Sequence, residues 1–337
     1  MSETVLVTGG SGFIGRHLVQ RLLDDGQHVI VVSRRAAREI DPPLPAGAQV
    51  LQAGFEALAP ADEPIAAVFH LAAAISFAAG DFAEVERVNV GGTRALLEWA
   101  QASGVADFVF CSTAATCTGP RPRLELADEH DVLPERMRNG AYGYPYSKWL
   151  AEAAVREAAP RFRRAVIANP STVWGAGDRT FNAGYLLSLA RKGVLFWAPP
   201  GGTSVVSVHD VVDGLIAAWR RGRSGERYLL SGDNLTYREL FGVVNATVSR
   251  PAPWLLLPRV LYRIGAPLLG SLEHVAARLG LPAGQINAQM LENLFSFRCY
   301  SNARARDELG FVPRRDARAM VEETWQFYLE SGLLPDA

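Results

Sequence analysis

A tyrosine and a lysine four residues apart, Tyr144 and Lys148, are the side chains of this sequence best suited to acid–base chemistry. At the start of a predicted helix such a pair shares one face, so the phenol and the ammonium are neighbours. A free phenol has a pKa near about 10, and a neighbouring ammonium lowers it by stabilising the phenolate. The pair therefore predicts a proton donor or acceptor that works near neutral pH. Only Lys148 and Lys192 of the 34 basic residues are lysines, and a planar guanidinium does not readily replace a compact ammonium.

Two hydroxyl groups follow a predicted buried strand over Asp107–Ser112. They belong to Ser112 and Thr113. Open α/β sheets bind their ligands beyond the carboxyl ends of the strands, which is where these side chains would lie. A hydroxyl at this position can polarise a substrate carbonyl.

A glycine-rich loop lies between the predicted strand Thr4–Thr8 and the predicted helix Phe13–Leu23. Gly9 permits a tight turn, Gly12 lets the backbone approach a pyrophosphate, and Gly15 lets the helix pack closely on the sheet. The positive end of the helix dipole favours an anion at the same place. The loop therefore predicts a dinucleotide-binding site.

The end of the second predicted strand, His28–Val32, bears on the type of dinucleotide. An acidic residue there usually binds the ribose 2′-hydroxyl of NAD, whereas this chain has Ser33 and Arg34 and no acid before Glu39. Ser33 and Arg34 can bind a 2′-phosphate through charge-assisted hydrogen bonds. We therefore favour NADP over NAD. Arg16 and Arg35 can add charge, and the alternative is that Arg34 and Arg35 are only solvated surface residues.

The composition limits the class of protein. The 337 residues are 49% hydrophobic and 20% charged, which fits a large α/β domain with or without a smaller lobe and excludes a disordered chain. The formal net charge of −1 excludes a generic nucleic-acid binder or a polybasic membrane surface. The three cysteines form no CxxC pair, the six histidines have no metal-ligand spacing, and no signal peptide or membrane span is recognised. We expect a cytoplasmic protein with reduced cysteines and no metal.

Strands and helices alternate along the chain, and this alternation predicts a Rossmann-type, doubly wound parallel sheet with a smaller, mainly helical C-terminal lobe. We assign residues 1–170 to the sheet domain, with 205–232 returning to it, and 171–204 and 233–337 to a substrate-binding lobe. The apolar segment 254–280 predicts helices of that lobe, with an interfacial membrane contact as the alternative. The further predicted elements are Val50–Gln52, Ile65–Leu71, Phe82–Ser103, Tyr146–Ala159, Arg164–Ala168, Gly184–Lys192, Val205–Val208, Val211–Arg220 and Arg227–Leu230.

These motifs, in order, resemble the extended short-chain dehydrogenases/reductases of the NAD-dependent epimerase/dehydratase superfamily. Within it, the chain is most similar to the dihydroflavonol reductase and 3β-hydroxysteroid dehydrogenase branch. The segments that carry the resemblance are Thr8-Gly-Gly-Ser-Gly-Phe-Ile-Gly15, His70-Leu-Ala-Ala73, Asn89-Val-Gly-Gly-Thr93, Ser112-Thr113, Tyr144-x-x-x-Lys148 with Ala151-Glu152, and Pro170-Ser-Thr-Val-Trp-Gly175.

The resemblance implies a role for each site residue. Tyr144 would be the acid/base and Lys148 its partner, with Thr113 orienting the substrate and Ser112 as the fallback. His70 would be structural, and Asn89 a structural hydrogen-bonder or part of a proton relay. A homodimer through the helices predicted at 82–103 and 146–159 is also implied. The implied cofactor contacts are Gly9, Gly12, Phe13, Ile14, Gly15, Ser33, Arg34, Leu71, Ala72, Ala73, Asn89, Tyr144, Lys148, Pro170 and Ser171.

Departures from the family pattern bear on the substrate. Gly54-Phe55 replaces the common Gly-Asp at the adenine, so Phe55 is expected near the base. Sugar-nucleotide epimerases tend to carry Arg where this chain has Asn169, and residues 201–204 offer no Arg for a diphosphate. The substrate lobe offers aromatic residues instead, most of which are interpreted as ordinary core and some as candidates for lining an apolar pocket. They are Trp174, Phe181, Tyr185, Phe196, Trp197 and Trp254.

Three functions remain open from the sequence. The first is an NADP-dependent oxidoreductase acting on a carbonyl or secondary alcohol of an apolar molecule. The second is a sugar-nucleotide epimerase or dehydratase, and the third is a cofactor-binding sensor without turnover. The substrate and the direction of hydride transfer are not identified at this stage.

Overall fold

A computed structural model of the chain describes residues 2–61, 63–75, 82–119, 121, 125–138, 142–179, 182–261 and 288–334. The strands in these residues are β1 (Thr4–Thr8), β2 (His28–Ser33), β3 (Gln49–Gln52), β4 (Ala67–His70), β5 (Asp107–Cys111), β6 (Arg164–Pro170), β7 (Thr172–Trp174), β8 (Trp197–Ala198), β9 (Gly202–Ser207), β10 (Arg227–Leu230), β11 (Asp233–Thr236), β12 (Leu255–Leu256) and β13 (Phe297–Arg298). The helices are α1 (Phe13–Asp24), α2 (Phe82–Glu86), α3 (Gly92–Ala102), α4 (Gly143–Ala158), α5 (Asn182–Arg191), α6 (Val208–Arg221), α7 (Tyr237–Thr247), α8 (Ala288–Phe295) and α9 (Ala317–Ser331).

Seven parallel strands form the central sheet, in the order β10-β6-β5-β4-β1-β2-β3. The strand order reverses at β1. The chain adds β2 and β3 on one side of β1 and then returns to place β4, β5, β6 and β10 on the other side. This is the doubly wound, Rossmann-like fold that the sequence predicts, and the structure confirms it. Ligands bind to such sheets at the reversal point, beyond the carboxyl ends of the strands.

Both faces of the central sheet are covered, which explains why β4 and β5 are buried along their whole length, whereas the edge strand β3 is largely exposed. One face packs against α1 and α6, and its core includes Val5, Leu18 and Trp219. The other face packs against α3 and α4, and its core includes Leu96 and Val155. The helices thus fix the carboxyl ends of the strands where the candidate site residues lie.

Two predicted helices differ from the observed ones. The sequence predicts one helix over Phe82–Ser103, but a five-residue π-helical turn at Arg87–Gly91 separates α2 from α3. Such turns insert an extra residue and re-aim side chains, often at functional sites. Helix α4 begins at Gly143 rather than Tyr146, so Tyr144 lies in its first turn. Gly143 has φ +36°, a conformation that favours glycine.

A second sheet lies beyond the central one, with the order β11-β9-β13, and β7 also pairs with β9. Of the segment 205–232, α6 packs on the central sheet and β10 joins it, whereas Val205–Ser207 end β9 in the second sheet. The second sheet packs with α5, α7 and α9 around Leu187, Phe241 and Tyr328.

The apolar segment 254–280 is described only up to residue 261. Leu255 and Leu256 pair with β8, and Trp254 is exposed and stacks on Phe196. The sequence predicts helices over 254–280, but the described part contains the strand β12, and residues 262–280 lie outside the described ranges. Among the helices that the structure describes, none combines the length and the apolar character needed to cross a bilayer.

Candidate active site

A cavity of about 1380 Å³ runs along the carboxyl edge of the central sheet. Its lining includes the four catalytic candidates, Ser112, Thr113, Tyr144 and Lys148. It also includes every cofactor candidate except Asn89, namely Gly9, Gly12, Phe13, Ile14, Gly15, Ser33, Arg34, Leu71, Ala72, Ala73, Pro170 and Ser171. With that one exception, the residues selected from the sequence, by their types and spacing or by the family resemblance, lie around one cavity.

The glycine loop closes tightly against the loop that follows β4. Gly9 has φ +70°, and a Cβ on it would lie 2.6 Å from the backbone nitrogen of Ala72. A Cβ on Gly15 would lie 2.1 Å from the Gly9 carbonyl oxygen, so α1 is able to pack on the turn only because residue 15 is glycine. Gly12 caps α1 without a side-chain hydrogen bond. The cradle thus presents backbone N–H groups and a helix N-terminus, which suits a pyrophosphate.

His70 fixes the end of β4 from within the protein. The Thr8 hydroxyl donates to His70 Nδ1 at 2.7 Å, and His70 Nε2 donates to Thr93 Oγ1 at 2.9 Å, since the Thr93 hydroxyl itself donates to the Asn89 carbonyl oxygen. Complete burial lowers the pKa of His70 to about 3. A neutral imidazole with a hydrogen bond at each ring nitrogen connects β1, β4 and α3, as expected for a structural histidine.

Asn89 lies in the π-helical turn and binds the loop after β4. Its Oδ1 accepts the Ala74 N–H at 2.8 Å, and its Nδ2 donates to the Ala74 carbonyl oxygen at 3.0 Å and to Ser147 Oγ at 2.9 Å. The amide is buried behind the cavity wall. Asn89 therefore positions the loop at 71–75 against α4.

The basic end of the cavity lies after β2. The Ser33 hydroxyl accepts the Arg35 backbone N–H at 3.0 Å, and Arg35 Nη2 donates to Ser11 Oγ of the glycine loop at 3.4 Å. Arg34 and Arg35 are exposed, and both line the cavity. Arg16 differs from the expectation, because its guanidinium donates to the carbonyl oxygens of Ser11, Pro42 and Pro43. Arg35 is thus better placed than Arg16 to share an anion with Arg34.

Phe55 lines the cavity next to this basic end. Its ring lies edge-on to His70, with centroids 5.6 Å apart, and a Cβ on Gly92 would come within 2.8 Å of it. The glycine at the start of α3 therefore makes room for the ring. An aromatic wall at this place suits a planar base.

Tyr144 and Lys148 lie one turn apart on α4, and both face the cavity. Lys148 Nζ donates to the carbonyl oxygen of Cys111 at 2.7 Å and lies 4.0 Å from the centre of the Phe110 ring. The ammonium is thus held at the end of β5 by a carbonyl and an aromatic face, and its side chain is almost fully buried.

Burial shifts both ionisable groups. It lowers the pKa of Lys148 to about 8, because a charged ammonium is disfavoured away from water. It raises the pKa of the Tyr144 phenol above its ordinary value of 10, and the neighbouring Cys111 thiol adds to the rise. The direction for Tyr144 is opposite to the lowering that the Tyr–Lys spacing predicts. The phenol is therefore protonated at neutral pH in this structure, which is the form that donates a proton.

The two hydroxyl candidates after β5 have different partners. Ser112 Oγ donates to the buried carboxylate of Glu152 at 2.6 Å, as does Thr116 Oγ1, and Asn169 Nδ2 donates to it at 2.7 Å. Thr113 Oγ1 accepts the Ala115 N–H at 3.3 Å and keeps its own proton to donate. The geometry therefore favours Thr113 over Ser112 as the hydroxyl that meets a ligand.

Glu152 is the centre of a buried cluster whose function the sequence did not indicate. Arg156 Nη1 and Arg227 Nη1 lie 3.2 and 3.5 Å from its Oε2. Arg227 also donates to the carbonyl oxygens of Glu129 and Asp131. The cluster fixes the carboxyl ends of β5 and β6 relative to α4. It commits Nδ2 of Asn169 to this structural role, while Asn169 Oδ1 is buried without a hydrogen-bond partner among the described residues.

Ser171 provides an unpartnered hydroxyl at the end of β6. Its Oγ is buried and has no hydrogen-bond partner among the described residues, while its backbone N–H donates to the Leu230 carbonyl oxygen at 3.1 Å. A buried polar atom of this kind awaits a ligand or a water. Together with the glycine cradle and the basic end after β2, it makes the cavity fit a nicotinamide dinucleotide along its length.

The substrate end departs from the expected aromatic pocket. None of the five described aromatic candidates lines the cavity, and Phe181 lies outside the described residues. Trp174 is buried in the core of the second sheet, whereas Tyr185, Phe196 and Trp254 are exposed. The lining there comes instead from Val173, Thr172, Thr203, Asn293, Arg298 and Tyr300. Residues 201–204 contain no arginine, but β13 places Arg298 beside Thr203.

The cysteines and potential metal ligands give no further site. Cys111, Cys117 and Cys299 are buried free thiols. Within the described ranges, no group of three or more His, Cys, Asp or Glu side chains is placed to hold a metal ion.

The model of the "NAD dependent epimerase/dehydratase family" matches residues 5–231, which include the glycine loop, the Tyr–Lys pair and β10. The chain belongs to this family. Among epimerase/dehydratase relatives, a putative dihydroflavonol 4-reductase of Synechocystis sp. is 31% identical over 260 residues, 75% of each chain. A 4-hydroxy-2-methyl-3-oxo-4-farnesyl-3,4-dihydroquinoline-1-oxide ketoreductase of Stigmatella aurantiaca is 32% identical over 317 residues, 91% of each chain. A 3 beta-hydroxysteroid dehydrogenase/Delta 5-->4-isomerase of Mycobacterium tuberculosis is 29% identical, covering 96% of this chain and 90% of that one.

Two solved structures have a similar fold over nearly the whole chain. The crystal structure of gox2253 has a TM-score of 0.82 and 27% identity, over 99% of this chain and 100% of that one. UDP-glucose 4-epimerase from Thermotoga maritima has a TM-score of 0.72 and 20% identity, over 97% and 99%. The second likeness shows the fold alone.

Proposed function

We propose that the protein is an NADP(H)-dependent oxidoreductase that interconverts a carbonyl group and a secondary alcohol in a small, largely apolar molecule. The observation that carries the proposal is the arrangement of Tyr144, Lys148 and Thr113 around the carboxyl end of β5, in the cavity that the glycine loop opens into. The adjacent strand, β6, ends there in Pro170 and the unpartnered hydroxyl of Ser171.

The same cavity supplies groups for each part of the cofactor. The glycine loop and the N-terminus of α1 would hold the pyrophosphate, and Ser33, Arg34 and Arg35 the 2′-phosphate. The loop at 71–73 and Lys148 would contact the ribose side, and Pro170 and Ser171 the nicotinamide amide. When bound, the nicotinamide supplies or accepts the hydride.

The chain's own residues would manage the proton and the carbonyl oxygen. In the direction of reduction, the Thr113 hydroxyl and the protonated Tyr144 phenol hydrogen-bond to the carbonyl oxygen and orient it. As hydride reaches the carbonyl carbon, the phenolic proton moves to the oxygen, which leaves an alcohol and a phenolate. The Lys148 ammonium, one turn away on α4, stabilises that phenolate by its charge.

Relatives and residues favour this proposal over a sugar-nucleotide epimerase. Two relatives at 31% and 32% identity are named as reductases. Asn169, in the place where epimerases tend to carry arginine, is committed to Glu152. The lining contains one arginine at the substrate end, Arg298, which is fewer than a diphosphate usually needs. The epimerase alternative rests on the family description and on the fold of UDP-glucose 4-epimerase.

A turnover screen with matched variants tests the proposal. NADPH absorbance is followed with a panel of ketones, and NADP with the corresponding secondary alcohols. Tyr144→Phe should lower turnover by roughly 10²- to 10⁴-fold while NADPH affinity persists. Tyr146→Phe is the control, because Tyr146 stacks on Phe82 and Trp149 of the same region but does not line the cavity. Lys148→Met should lower both turnover and NADPH affinity.

The alternatives give different results in the same assays. Near-normal turnover in the Tyr144→Phe variant would remove Tyr144 from its proposed role. A saturable rise in Tm with UDP-sugars, without net oxidation of NADPH, would indicate the epimerase. Tight NADPH binding with no turnover of any compound in the panel would indicate a sensor.

A further inference from the structure

Arg298 lines the cavity, and two of its guanidinium nitrogens have no hydrogen-bond partner among the described residues. Its Nε and Nη2 atoms are buried and have no hydrogen-bond partner, and within the described residues no carboxylate lies within 4.0 Å of it. Arg227, the comparable arginine of the central sheet, donates to two carbonyl oxygens and lies 3.5 Å from the Glu152 carboxylate. A buried charged group without a hydrogen-bond partner costs free energy. The presence of such a group at the cavity wall therefore points to a ligand that supplies the partner.

The strand pairing connects this guanidinium with the reacting end of the cavity. Arg298 in β13 lies opposite Thr203 in β9, and Thr203 Oγ1 is 3.3 Å from Thr172 Oγ1 in β7. Thr172 directly follows Ser171, whose unpartnered hydroxyl marks the proposed nicotinamide end. Arg298 thus lies about two strand spacings, roughly 10 Å, from the backbone beside the reacting groups. A molecule of moderate length reaches both.

The unpaired atoms indicate the chemistry of the ligand. Nε and Nη2 form the side edge of a guanidinium, whose two N–H groups match the two oxygens of one carboxylate. The other arginines of the lining, Arg34, Arg35 and Arg87, lie away from β13, on or beside the elements that flank β2 and α2. One guanidinium balances one negative charge, whereas a diphosphate carries more. Asn293, whose buried Oδ1 is also unpartnered, adds a polar atom to the same end of the cavity.

We propose that Arg298 binds a carboxylate of the substrate, so that the compound reduced here is an oxo acid with an apolar body. This inference rests on the proposed function, because it names the substrate class of the same site. It replaces an entirely apolar substrate with an amphipathic one. The carboxylate fixes one end of the molecule at β13, and the carbonyl group lies toward Tyr144 and Thr113.

A binding experiment tests the anchor without turnover. Octanoate, which has a carboxylate but no ketone, is titrated into the NADPH-saturated protein and compared with octan-1-ol. We expect octanoate to bind at least tenfold more tightly, and Arg298→Met to remove that preference. Arg259→Met is the charge-matched control, because Arg259 is exposed beside Phe297 and does not line the cavity. Equal binding of the two probes, or loss of the preference in the Arg259→Met variant alone, would overturn the proposal.

Turnover then connects the anchor with the reaction. With 4-oxooctanoate and its methyl ester as substrates, the unmodified protein should prefer the acid in kcat/KM, and Arg298→Met should lose roughly ten- to a hundredfold on the acid only. An equal loss on both compounds would overturn the anchor. If neither compound nor any member of the ketone and alcohol panel is turned over while octanoate binding still depends on Arg298, the proposed function fails and the carboxylate site stands.

Stability distinguishes the anchor from a structural arginine. Methionine is of similar length and carries no charge, so ligand-free Arg298→Met should melt at the same temperature as the unmodified protein or higher. Arg298→Lys keeps the charge without the double contact and should retain part of the octanoate preference. A lowered Tm in both variants would assign Arg298 to the fold and overturn the proposal. If UDP-glucose raises Tm more than octanoate does, and if that rise depends on Arg298, the carboxylate proposal is overturned and Arg298 binds a diphosphate instead.

Discussion

Asn89 binds the backbone of Ala74 through both ends of its side-chain amide, accepting the N–H at 2.8 Å and donating to the carbonyl oxygen at 3.0 Å. The same Nδ2 donates to Ser147 Oγ on α4, one residue before Lys148. The loop that would contact the cofactor and the helix that carries the Tyr–Lys pair are therefore held at a fixed separation by one buried side chain.

The first prediction concerns this connection. Asn89→Ala removes three hydrogen bonds, each contributing about 0.5–1.5 kcal/mol, and frees the backbone of Ala74. We expect a lower Tm and NADPH binding weakened by roughly tenfold or more, because the loop must be ordered again on binding. Ser147→Ala removes the link from Asn89 to α4 and the hydrogen bond from Ser147 Oγ to the Tyr144 carbonyl oxygen, but it keeps both bonds to Ala74 and should have a smaller effect on NADPH binding. Cofactor titration and thermal melts check both variants, and an unchanged NADPH Kd in Asn89→Ala would contradict the positioning role.

The glycine loop and the central sheet could be predicted because their causes are local in the sequence. Gly9 needs a positive φ, Gly15 needs the absence of a Cβ against Gly9, and the inner strands β1, β4 and β5 are mainly apolar runs. The roles of Glu152 and Arg298 could not be predicted in this way. Their chemistry depends on residues that strand pairing brings together, such as Thr203 beside Arg298. It also depends on which atoms have no hydrogen-bond partner among the described residues, as with Arg298 Nε and Nη2.

The pKa of Tyr144 shows a second limit of sequence reasoning. The spacing to Lys148 indicates a charge that would lower it, but the depth of burial, which has the larger effect here, is a property of the whole fold. The π-helical turn at Asn89 is a similar case. The sequence is compatible with a continuous helix. The π-helical turn at Arg87–Gly91 accompanies the contacts of the Asn89 side chain with Ala74 and Ser147, which are distant in sequence.

The second prediction separates the two hydroxyl groups after β5. Thr113→Val keeps the side-chain volume and removes a donor to the substrate oxygen, so kcat should fall by roughly ten- to a hundredfold. Tm should fall only by the loss of the 3.3 Å hydrogen bond from the Ala115 N–H. Ser112→Ala leaves the buried Glu152 carboxylate with one donor fewer, so Tm should fall more than kcat. Steady-state kinetics and melts on both variants check the split. The reverse pattern would make Ser112 the hydroxyl that meets the substrate.

The third prediction concerns acid stability. Burial holds the pKa of His70 at about 3 in the folded chain, against 6.5 for an exposed imidazole, so the unfolded chain binds the extra proton between these values. The stabilising effect of a neutral His70 is therefore complete above about pH 6.5 and is lost as the pH falls toward 3, with a slope of up to about 1.4 kcal/mol per pH unit. Since His70→Gln does not titrate, the stability advantage of the unmodified protein over this variant should shrink from pH 7 to pH 5.

Urea denaturation at each pH measures that difference. The control is His130→Gln, because His130 is exposed and its side chain does not enter the core. An advantage that stays constant across this pH range would mean that His70 is protonated within the folded protein.

The last prediction concerns cofactor preference. Ser33 Oγ accepts the Arg35 N–H, and Arg35 reaches Ser11 of the glycine loop, so two guanidinium groups flank the place where a 2′-phosphate would lie. Charge-assisted hydrogen bonds to a partly exposed phosphate contribute about 1.5–3 kcal/mol, or roughly ten- to a hundredfold in affinity. Because the two arginines share the phosphate, Arg34→Ala alone should weaken NADPH binding by less than the Arg34→Ala/Arg35→Ala pair, and neither should change NADH binding.

Ser33→Asp should reverse the preference, since the carboxylate repels the phosphate and accepts from the ribose hydroxyls. Titration of both cofactors checks this, with Arg38→Ala as the exposed control, and tighter binding of NADH than NADPH to the unmodified protein would assign Arg34 and Arg35 to the solvated surface.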